Sequence, residues 1–264
     1  MSYRARGMKT LLAIGIGTGN PEHLTLQAVA ALRRVDVVFS FDKGDEKADL
    51  GRLRRELCER FITPHPYRMV EIADAPRDAG IAVYEARVDA WHERRVLACE
   101  ESLARELGDG QTGAILVWGD PSLYDSTLRL LERLQERGRV SFEYSAIAGI
   151  SSPQALAARH RLILNRVGGA VHITTGRRLL EATASGADDI VVMLDGDCAF
   201  NQLPADDYDI YWGAYLGSER ELAIAGPLAE RRQEIERARA AARAEHGWIM
   251  DTYLLRRRAR RTPA

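Results

Sequence analysis

Three short glycine-containing segments are the parts of this 264-residue chain whose residue types and spacing best suit ligand binding. They are Gly15–Pro21, Trp118–Tyr124 and Ala148–Ser152. Glycine lets the backbone turn sharply and approach a ligand with no side chain in the way. The hydroxyls and backbone amides of such turns can hydrogen-bond a polar cofactor. Each segment taken singly has an alternative explanation, which is a plain turn for the first two and a capped helix start for the third.

The first segment differs from the dinucleotide-binding pattern, in which G-x-G-x-x-G opens directly into a helix. Its third glycine, Gly19, comes one position early, and Pro21 delays the next helix until about Leu26. Asp42, the acid that would have to bind a ribose, comes late in the sequence. The spacing therefore argues against a nicotinamide or flavin site.

In the first half of the chain, short apolar runs alternate with amphipathic segments. Strands are predicted at Leu11–Gly15, Val37–Phe41, Gly113–Trp118 and Phe142–Ile147. Helices are predicted at Leu26–Arg34, Leu50–Phe61 and Ala82–Leu107, and along the stripe Leu123, Thr127, Leu130, Leu131 and Leu134. This alternation predicts a mainly parallel sheet with helices on its faces. The first two glycine segments then follow strands at the sheet edge where ligands bind in open α/β folds.

In the second half, the predicted strands lie too close together for crossover helices, which favours antiparallel pairing. They are Val171–Thr174, Ile190–Leu194, Tyr208–Tyr215, Glu221–Ala225 and Trp248–Leu255. We therefore expect an α/β protein of two domains, residues 8–145 and 146–256, with a boundary near Ser145–Ala148. The first domain should hold a mostly parallel sheet and the second a mixed or antiparallel one.

The composition limits the binding partners and the cellular compartment that we expect for the protein. The formal charge is -1 with a pI near 6.6, which argues against nucleic-acid binding. The cysteines Cys58, Cys99 and Cys198 lack metal-ligand spacing and indicate buried thiols in a reducing compartment. No apolar run approaches the roughly 18–20 residues of a membrane span, and Met1–Lys9 lacks the apolar stretch of a secretion signal. We expect a cytoplasmic protein that binds no membrane and no metal, with a solvated basic tail at Arg256–Arg261.

Taken together and in order, the three segments resemble the signature of the tetrapyrrole methylases. That signature is a G-x-G-x-G turn with L-T soon after, a G-D-P turn in mid-chain and a G-I-[ST] segment at the domain junction. Here these are Gly15–Gly19 with Leu24-Thr25, Gly119–Pro121 and Gly149–Ser151, and the resemblance runs from about Lys9 to Leu255. It implies two α/β domains that bind S-adenosylmethionine in the cleft between them, and a homodimer.

The resemblance also implies which residues bind the cofactor. Thr18 stands where many family members have proline, so a contact through that side chain is open. Met193 or Leu194 would give the adenine an apolar contact, although Met193 is equally compatible with a core position. The backbone of Leu216 and Gly217 would meet the ring edge. The implied cofactor-binding residues are Gly17, Thr18, Gly19, Trp118, Gly119, Asp120, Leu123, Ser151, Ser152, Met193, Leu194, Leu216 and Gly217.

Within the family, the segments Phe41–Gly44 and Trp118–Thr127 resemble the subgroup that methylates precorrin-5 at C-1 and releases its acetyl group as acetate. Acetyl loss needs a base for water and a group that stabilises the oxyanion. The candidates are Asp42 or His65 as base and Lys43 as oxyanion or carboxylate partner, with a solvated surface role as the alternative for each.

Candidate cations for the substrate's carboxylates are Arg159, Arg161 and Arg166, because guanidinium groups match carboxylates in a fixed fork. An ordinary solvated helix face would explain them as well. Two further interpretations of the whole chain stay open. One is the same fold acting on another precorrin carbon, on ribosomal RNA or on the diphthamide precursor. The other is a protein that senses the cofactor without transferring its methyl group.

Overall fold

The computed structural model describes residues 7–42, 48–63, 65–73 and 84–258. The chain divides into two compact units after Ile150, and the short segment Thr18–Asn20 belongs to the second of them. The predicted helix start at Ala82 and the predicted tail beyond Arg258 lie outside the described residues.

The first unit is built on a five-stranded sheet of order β3-β2-β4-β1-β5, in which every pairing is parallel. Its strands are β1 Lys9–Gly15, β2 Val37–Asp42, β3 Arg68–Ala73, β4 Thr112–Val117 and β5 Phe142–Ile147. Its helices are α1 Leu26–Leu32, α2 Ala48–Phe61, α3 Tyr84–Glu106 and α4 Thr127–Arg137. The central strand β4 is buried throughout, as expected for a strand covered on both faces.

The helices cover this sheet on both faces because each presents an apolar stripe at helical spacing. On one face Val96 of α3 and Leu131 of α4 join the core. On the other face Leu32 of α1 and Leu57 of α2 do so. Gly138 ends α4 in a left-handed conformation with φ 64°, which glycine adopts without steric cost.

The second unit holds a mixed five-stranded sheet of order β6-β7-β10-β8-β9. Only β6 and β7 are parallel, and the other three pairings are antiparallel. The strands are β6 Val171–Thr175, β7 Asp189–Met193, β8 Tyr208–Ala214, β9 Leu222–Pro227 and β10 Asp251–Arg257. The helices are α5 Ser152–His160, α6 Leu179–Ala184 and α7 Leu228–His246. The core gathers around Trp212, Phe200 and Tyr253.

The structure confirms the predicted α/β class, the parallel first sheet and the mixed second sheet, and it adds elements that the sequence did not predict. Strand β3 was missed because it exposes Arg68 and Glu71 and buries only Ile72, so it has neither an apolar run nor an alternation. Helix α7 was missed because its few buried positions are widely spaced in a segment rich in Ala, Arg and Glu. The predicted start of the last strand at Trp248 is wrong, because pairing begins at Asp251.

The buried stripe of α4 gives a direct test of the core of the first unit. Leu131→Ala should lower the free energy of unfolding by about 2–5 kcal/mol, because the side chain is fully buried and a cavity would remain. The exposed neighbour Glu132 serves as control, and Glu132→Ala should change the same quantity by less than about 0.5 kcal/mol. Urea unfolding followed by circular dichroism measures both, and equal losses would contradict the packing of α4.

Candidate functional site

The three glycine segments follow three strands that lie side by side. Strand β1 pairs with β4 on one side and with β5 on the other, in parallel. The carboxyl ends Gly15, Val117 and Ile147 therefore lie at one edge of the sheet, where open α/β folds bind ligands.

The first two turns are joined by backbone hydrogen bonds beyond the ends of their strands. The Gly119 amide donates to the Gly17 carbonyl at 2.7 Å, and the Gly17 amide donates to the Gly119 carbonyl at 3.3 Å. Both glycines have positive φ, 76° for Gly17 and 70° for Gly119, a conformation that disfavours other residues. A Cβ on Gly17 would also lie 2.4 Å from the Cβ of His23. These two positions therefore require glycine.

The third turn packs directly on the other two. A Cβ on Gly149 would lie 2.1 Å from the Gly119 carbonyl oxygen, and a Cβ on Gly15 would lie 2.6 Å from the Gly149 nitrogen. Real Cβ atoms do not approach backbone atoms this closely. The three turns are thus in backbone contact, which only the absence of side chains at these positions permits.

Asp120 fastens the second turn to the third. Its Oδ2 accepts from the Gly149 amide at 2.8 Å, and its Oδ1 accepts from the Ser122 amide at 2.8 Å and from the Ser122 hydroxyl. Burial by itself raises the pKa of Asp120, but these hydrogen bonds outweigh it and lower the pKa below its ordinary value. The carboxylate is therefore ionised at neutral pH, and its evident role is to hold the turns in register.

The Leu24-Thr25 motif makes a further link to the third turn. The Thr25 hydroxyl caps α1 by accepting from the Ala28 amide at 3.0 Å, and it donates to the Ala148 carbonyl at 3.4 Å. Thr25 therefore both caps α1 and contacts the third turn.

Among the described residues of these turns, Trp118 has the one buried side-chain polar atom that lacks a hydrogen-bond partner. Its indole Nε1 is buried and finds no hydrogen-bond acceptor there. A buried donor without an acceptor is costly, and a ligand oxygen or nitrogen at this edge would relieve that cost. Together with the glycine turns, whose backbone no side chain shields, Trp118 fits a site for a polar cofactor such as S-adenosylmethionine.

In the second unit, the predicted adenine contacts also lie at one sheet edge. The carboxyl ends of β7 and β8 flank the amino end of β10, which places Met193 and Leu216 at the same edge. Leu194 has φ 52° and is 66% exposed, an unusual state for a large apolar side chain. Leu216 is buried, and a Cβ on Gly213 would lie 2.7 Å from its Cδ2. Leu194 is therefore the better placed of these side chains to contact a ligand.

The Gly217 amide is already used within the second unit, because it donates to Glu221 Oε2 at 2.7 Å. A predicted contact between Gly217 and the adenine would therefore have to use its carbonyl. Gly217 itself has φ 81°, as the turn between β8 and β9 requires.

Sequence reasoning missed a buried polar network that fixes the loop after β7. Asp195 accepts from the Ala199 amide and from the Tyr253 hydroxyl, both at 2.7 Å. Arg239 of α7 donates to the Asp195 carbonyl at 2.5 Å and to Asp251 Oδ2 at 2.8 Å. Burial, then the Asp195 charge, raises the pKa of Tyr253 well above its ordinary value, so the phenol stays a donor. Arg239 was missed because it lies in α7, whose widely spaced buried residues give no apolar stripe.

The remaining predicted cofactor residues fall in both units. Thr18 is 3% exposed and Gly19 has φ 134°, and both belong to the second unit. Ser151 precedes α5 and its hydroxyl donates to Gln154 Oε1, while Ser152 is the first residue of that helix. Leu123 lies in the second turn, where its amide donates to the Asp120 carbonyl at 3.3 Å. Their contacts with a cofactor stay predictions.

Of the three catalytic candidates, the two that the structure describes, Asp42 and His65, are not brought together. Asp42 is the last residue of β2, at the same sheet edge as the glycine turns, and Lys43 lies outside the described residues. The Nε2 of His65 lies 2.9 Å from the Val35 carbonyl, just before the amino end of β2. Because all strands of this sheet are parallel, His65 lies at the edge opposite to the turns, which does not fit its predicted role as the base.

The three substrate arginines have different surroundings in the second unit. Arg166 lies beside Asp189, the first residue of β7, with its amide 3.1 Å from Oδ2 and its guanidinium 3.9 Å away. This is the edge opposite to Met193, so the prediction of Arg166 as a substrate ligand does not fit the structure. Arg159 pairs with Glu221, and Arg161 is exposed with φ 54° at the end of α5. Their roles toward a substrate stay predictions.

Cys58 and Cys99 are buried free thiols, and burial raises the pKa of each to about 12, which makes them unreactive. Cys198 is half-buried. In the part of the chain that the structure describes, no group of His, Cys, Asp or Glu side chains is arranged to hold a metal. None of the described helices is both long and apolar enough to cross a bilayer.

In this chain a parallel sheet, whose adjacent strands end in three interlocked glycine turns, is followed by a mixed sheet. Residues 10–231 match the family model for Tetrapyrrole (Corrin/Porphyrin) Methylases, and the chain belongs to this family. Tetrapyrrole methylases use S-adenosylmethionine as methyl donor.

Three individual proteins resemble the chain over nearly its whole length. The chain is 50% identical to "Precorrin-6A synthase [deacetylating]" from Sinorhizobium sp over 253 residues, covering 96% of this chain and 97% of the relative. It is similar to the crystal structure of a cobalamin synthesis related protein (CobF) from Corynebacterium diphtheriae, with a TM-score of 0.81, 38% identity and coverage of 94% and 98%. Cobalt precorrin-4 methyltransferase, CbiF, shares the fold with a TM-score of 0.62 at 15% identity, over 93% of this chain and 94% of its own.

The contact between the turns can be tested at Gly149. Gly149→Ala should weaken S-adenosylmethionine binding by roughly tenfold or more, because the new Cβ forces the third turn away from Gly119 and a shift of about 1 Å misplaces binding groups. Gly51→Ala is the matched control, since its Cβ would meet only the Arg55 side chain at 3.9 Å. Titration calorimetry measures both, and parent-like affinity in Gly149→Ala would show that close packing of the turns is not needed.

Proposed function

We propose that this chain is an S-adenosylmethionine-dependent C-methyltransferase of cobalamin biosynthesis, which methylates precorrin-5 at C-1 and releases the acetyl group as acetate. The observation that carries the proposal is the backbone contact of Gly15, Gly119 and Gly149 at one sheet edge. The choice of substrate is supported by the 50% identity, over nearly the whole chain, to a relative named for this deacetylating reaction. We further propose that the enzyme works in the cytoplasm as a homodimer.

The proposed methyl transfer does not depend on ionisable side chains acting as nucleophile, acid or base. When bound, S-adenosylmethionine supplies an electrophilic methyl group on a sulfur whose positive charge is lost in the transition state. The chain's task is to hold donor and acceptor in line and to exclude water, which contributes much of the rate of such a transfer. Turns locked by the Gly17–Gly119 bridge and by Asp120 provide rigid backbone for this purpose. A nucleophile–base pair is not required for the methyl transfer.

Acetate release does require a base, because water must attack the acetyl carbonyl. A base that accepts the proton of this water contributes typically 10²–10⁴-fold to the rate. Asp42 ends β2 at the edge that carries the turns, which supports it as the base. Lys43, the next residue, is the proposed oxyanion partner.

A single incubation tests the proposed function. The purified chain is mixed with methyl-labelled S-adenosylmethionine and precorrin-5, and both labelled product and free acetate are measured. We expect one acetate released for each methyl group transferred. Methyl transfer without acetate would point to another carbon of the macrocycle, and transfer only to RNA or to the diphthamide precursor would point to another acceptor. Binding of the donor with no transfer to any of them would favour a sensor.

The role of Asp42 can be separated from methyl transfer. Asp42→Asn should slow acetate release roughly 100-fold and leave S-adenosylmethionine affinity unchanged, because an amide cannot accept the water proton. Asp109→Asn is the control, since Asp109 is exposed and pairs with Lys9 at the amino end of β1. Acetate release at the parent rate in Asp42→Asn would remove Asp42 from the mechanism.

A further inference from the structure

The first sheet opens between β2 and β4 at the edge that carries the glycine turns. The two strands pair only from Val37↔Gly113 to Phe39↔Ile115. Beyond this point β2 continues alongside β3 as far as Asp42, while β4 continues alongside β1 as far as Val117. We call this opening, between residues 40–42 and 116–118, the β2–β4 fork. It adjoins Trp118 of the second turn.

Arg54 of α2 reaches the fork from one face of the sheet. Its Nε donates to the Leu116 carbonyl at 3.3 Å, which is the first β4 residue beyond the pairing with β2. Burial lowers the pKa of Arg54, and the nearby Asp125 opposes this effect. Among the described carboxylates, none lies within ion-pair distance of the Arg54 guanidinium. A half-buried guanidinium that pairs with no described carboxylate is suited to bind an anion.

Arg95 of α3 reaches the fork from the opposite face. Its guanidinium carbon lies 3.9 Å from the ring centre of Phe41 in β2 and 4.7 Å from that of Trp91. Its Nη1 donates to the Ser126 hydroxyl at 3.0 Å, and the residue is only 8% exposed. Stacking and hydrogen bonding hold this guanidinium in a fixed orientation, so little freedom remains to be lost when it binds a ligand.

The chain after the second turn connects the two arginines. Asp125 is the described carboxylate that acts most strongly on Arg54, and the next residue, Ser126, binds Arg95. Asp125 is itself held by the Thr127 amide, which donates to its Oδ1 at 2.6 Å. Leu116 and Phe41, the respective partners of Arg54 and Arg95, lie on the two sides of the fork, so the two cations approach it from opposite faces.

We propose that Arg54 and Arg95 form a carboxylate-binding subsite for the acidic side arms of the tetrapyrrole substrate, with the β2–β4 fork as its floor. The inference rests on the proposed function for the identity of the substrate. Acetate and propionate arms are planar anions that a guanidinium binds through paired hydrogen bonds, which a lysine cannot match. The subsite lies beside the end of β2, where Asp42 is the proposed base. It takes the place of the Arg166 assignment, which the geometry opposes.

The test separates substrate binding from cofactor binding and from stability. Arg54→Gln and Arg95→Gln should each raise the KM for precorrin-5 roughly 10- to 100-fold, the loss expected for a charge-assisted hydrogen bond, with kcat changed much less. Affinity for S-adenosylmethionine should stay at the parent value. Arg54→Lys should recover only part of the KM, since it keeps the charge and loses the fork. Arg55→Gln and Arg105→Gln, exposed arginines on the same two helices, should behave as the parent does.

A binding experiment keeps the inference independent of turnover. Uroporphyrin, a stable tetrapyrrole polycarboxylate, should bind the parent in a salt-sensitive manner, and both glutamine variants should bind it roughly tenfold or more weakly. Parent protein that binds uroporphyrin through these arginines but does not convert precorrin-5 would refute the proposed reaction and keep the subsite. Parent-like KM and uroporphyrin affinity in both glutamine variants would overturn the subsite, even if their melting temperatures fall. Should Arg54→Gln fail to fold, Arg54→Lys and Arg95→Gln decide by the same two measurements.

Discussion

The architecture of the first unit depends on one close approach, in which the backbones of Gly149, Gly119 and Gly15 touch beyond the ends of three parallel strands. Neighbouring strands lie about 4.7–4.9 Å apart, and beyond their ends a Cβ on Gly15 or Gly149 would clash with the backbone of a neighbouring turn. Removing those side chains lets the exits converge. The Gly17–Gly119 bridge, the Asp120–Gly149 hydrogen bond and the Thr25–Ala148 contact all presuppose that convergence.

In the second unit, the loop at the sheet edge is held by buried hydrogen bonds and not by close backbone contact. Its loop after β7 contains two residues with positive φ that are not glycine, Leu194 and Cys198, and such conformations persist only where the surroundings hold them. A buried set of hydrogen bonds from Tyr253, Arg239 and local amides to Asp195 does so. One unit therefore fixes its sheet edge by backbone contact, and the other fixes its edge by buried charge.

The sequence was informative wherever a local rule determined the structure. Glycine turns after apolar runs predicted the sheet edge, because adjacent parallel strands end at one edge and glycine lets the chain turn sharply there. The edge strand β3 carries little apolar pattern, and α7 buries widely spaced residues. His65 and Arg166 were misplaced because proximity in sequence to a strand does not say which end of the strand a side chain meets. Local sequence patterns cannot predict contacts between residues that are distant in the chain. The contacts of Arg54, Arg95 and Arg239 are of this kind.

The membership of Thr18–Asn20 in the second unit has a consequence for how this protein can be rearranged. The chain passes from one unit to the other not once but at three peptide bonds, after Gly17, after Asn20 and after Ile150. A fragment that ends at Ile150 would keep a tripeptide belonging to the missing half, and the other fragment would lack it. Exchange of whole halves between relatives, whether by recombination or in the laboratory, must therefore carry that tripeptide along with the carboxyl-terminal half. Each unit is compact in space, yet neither is one continuous stretch of the chain.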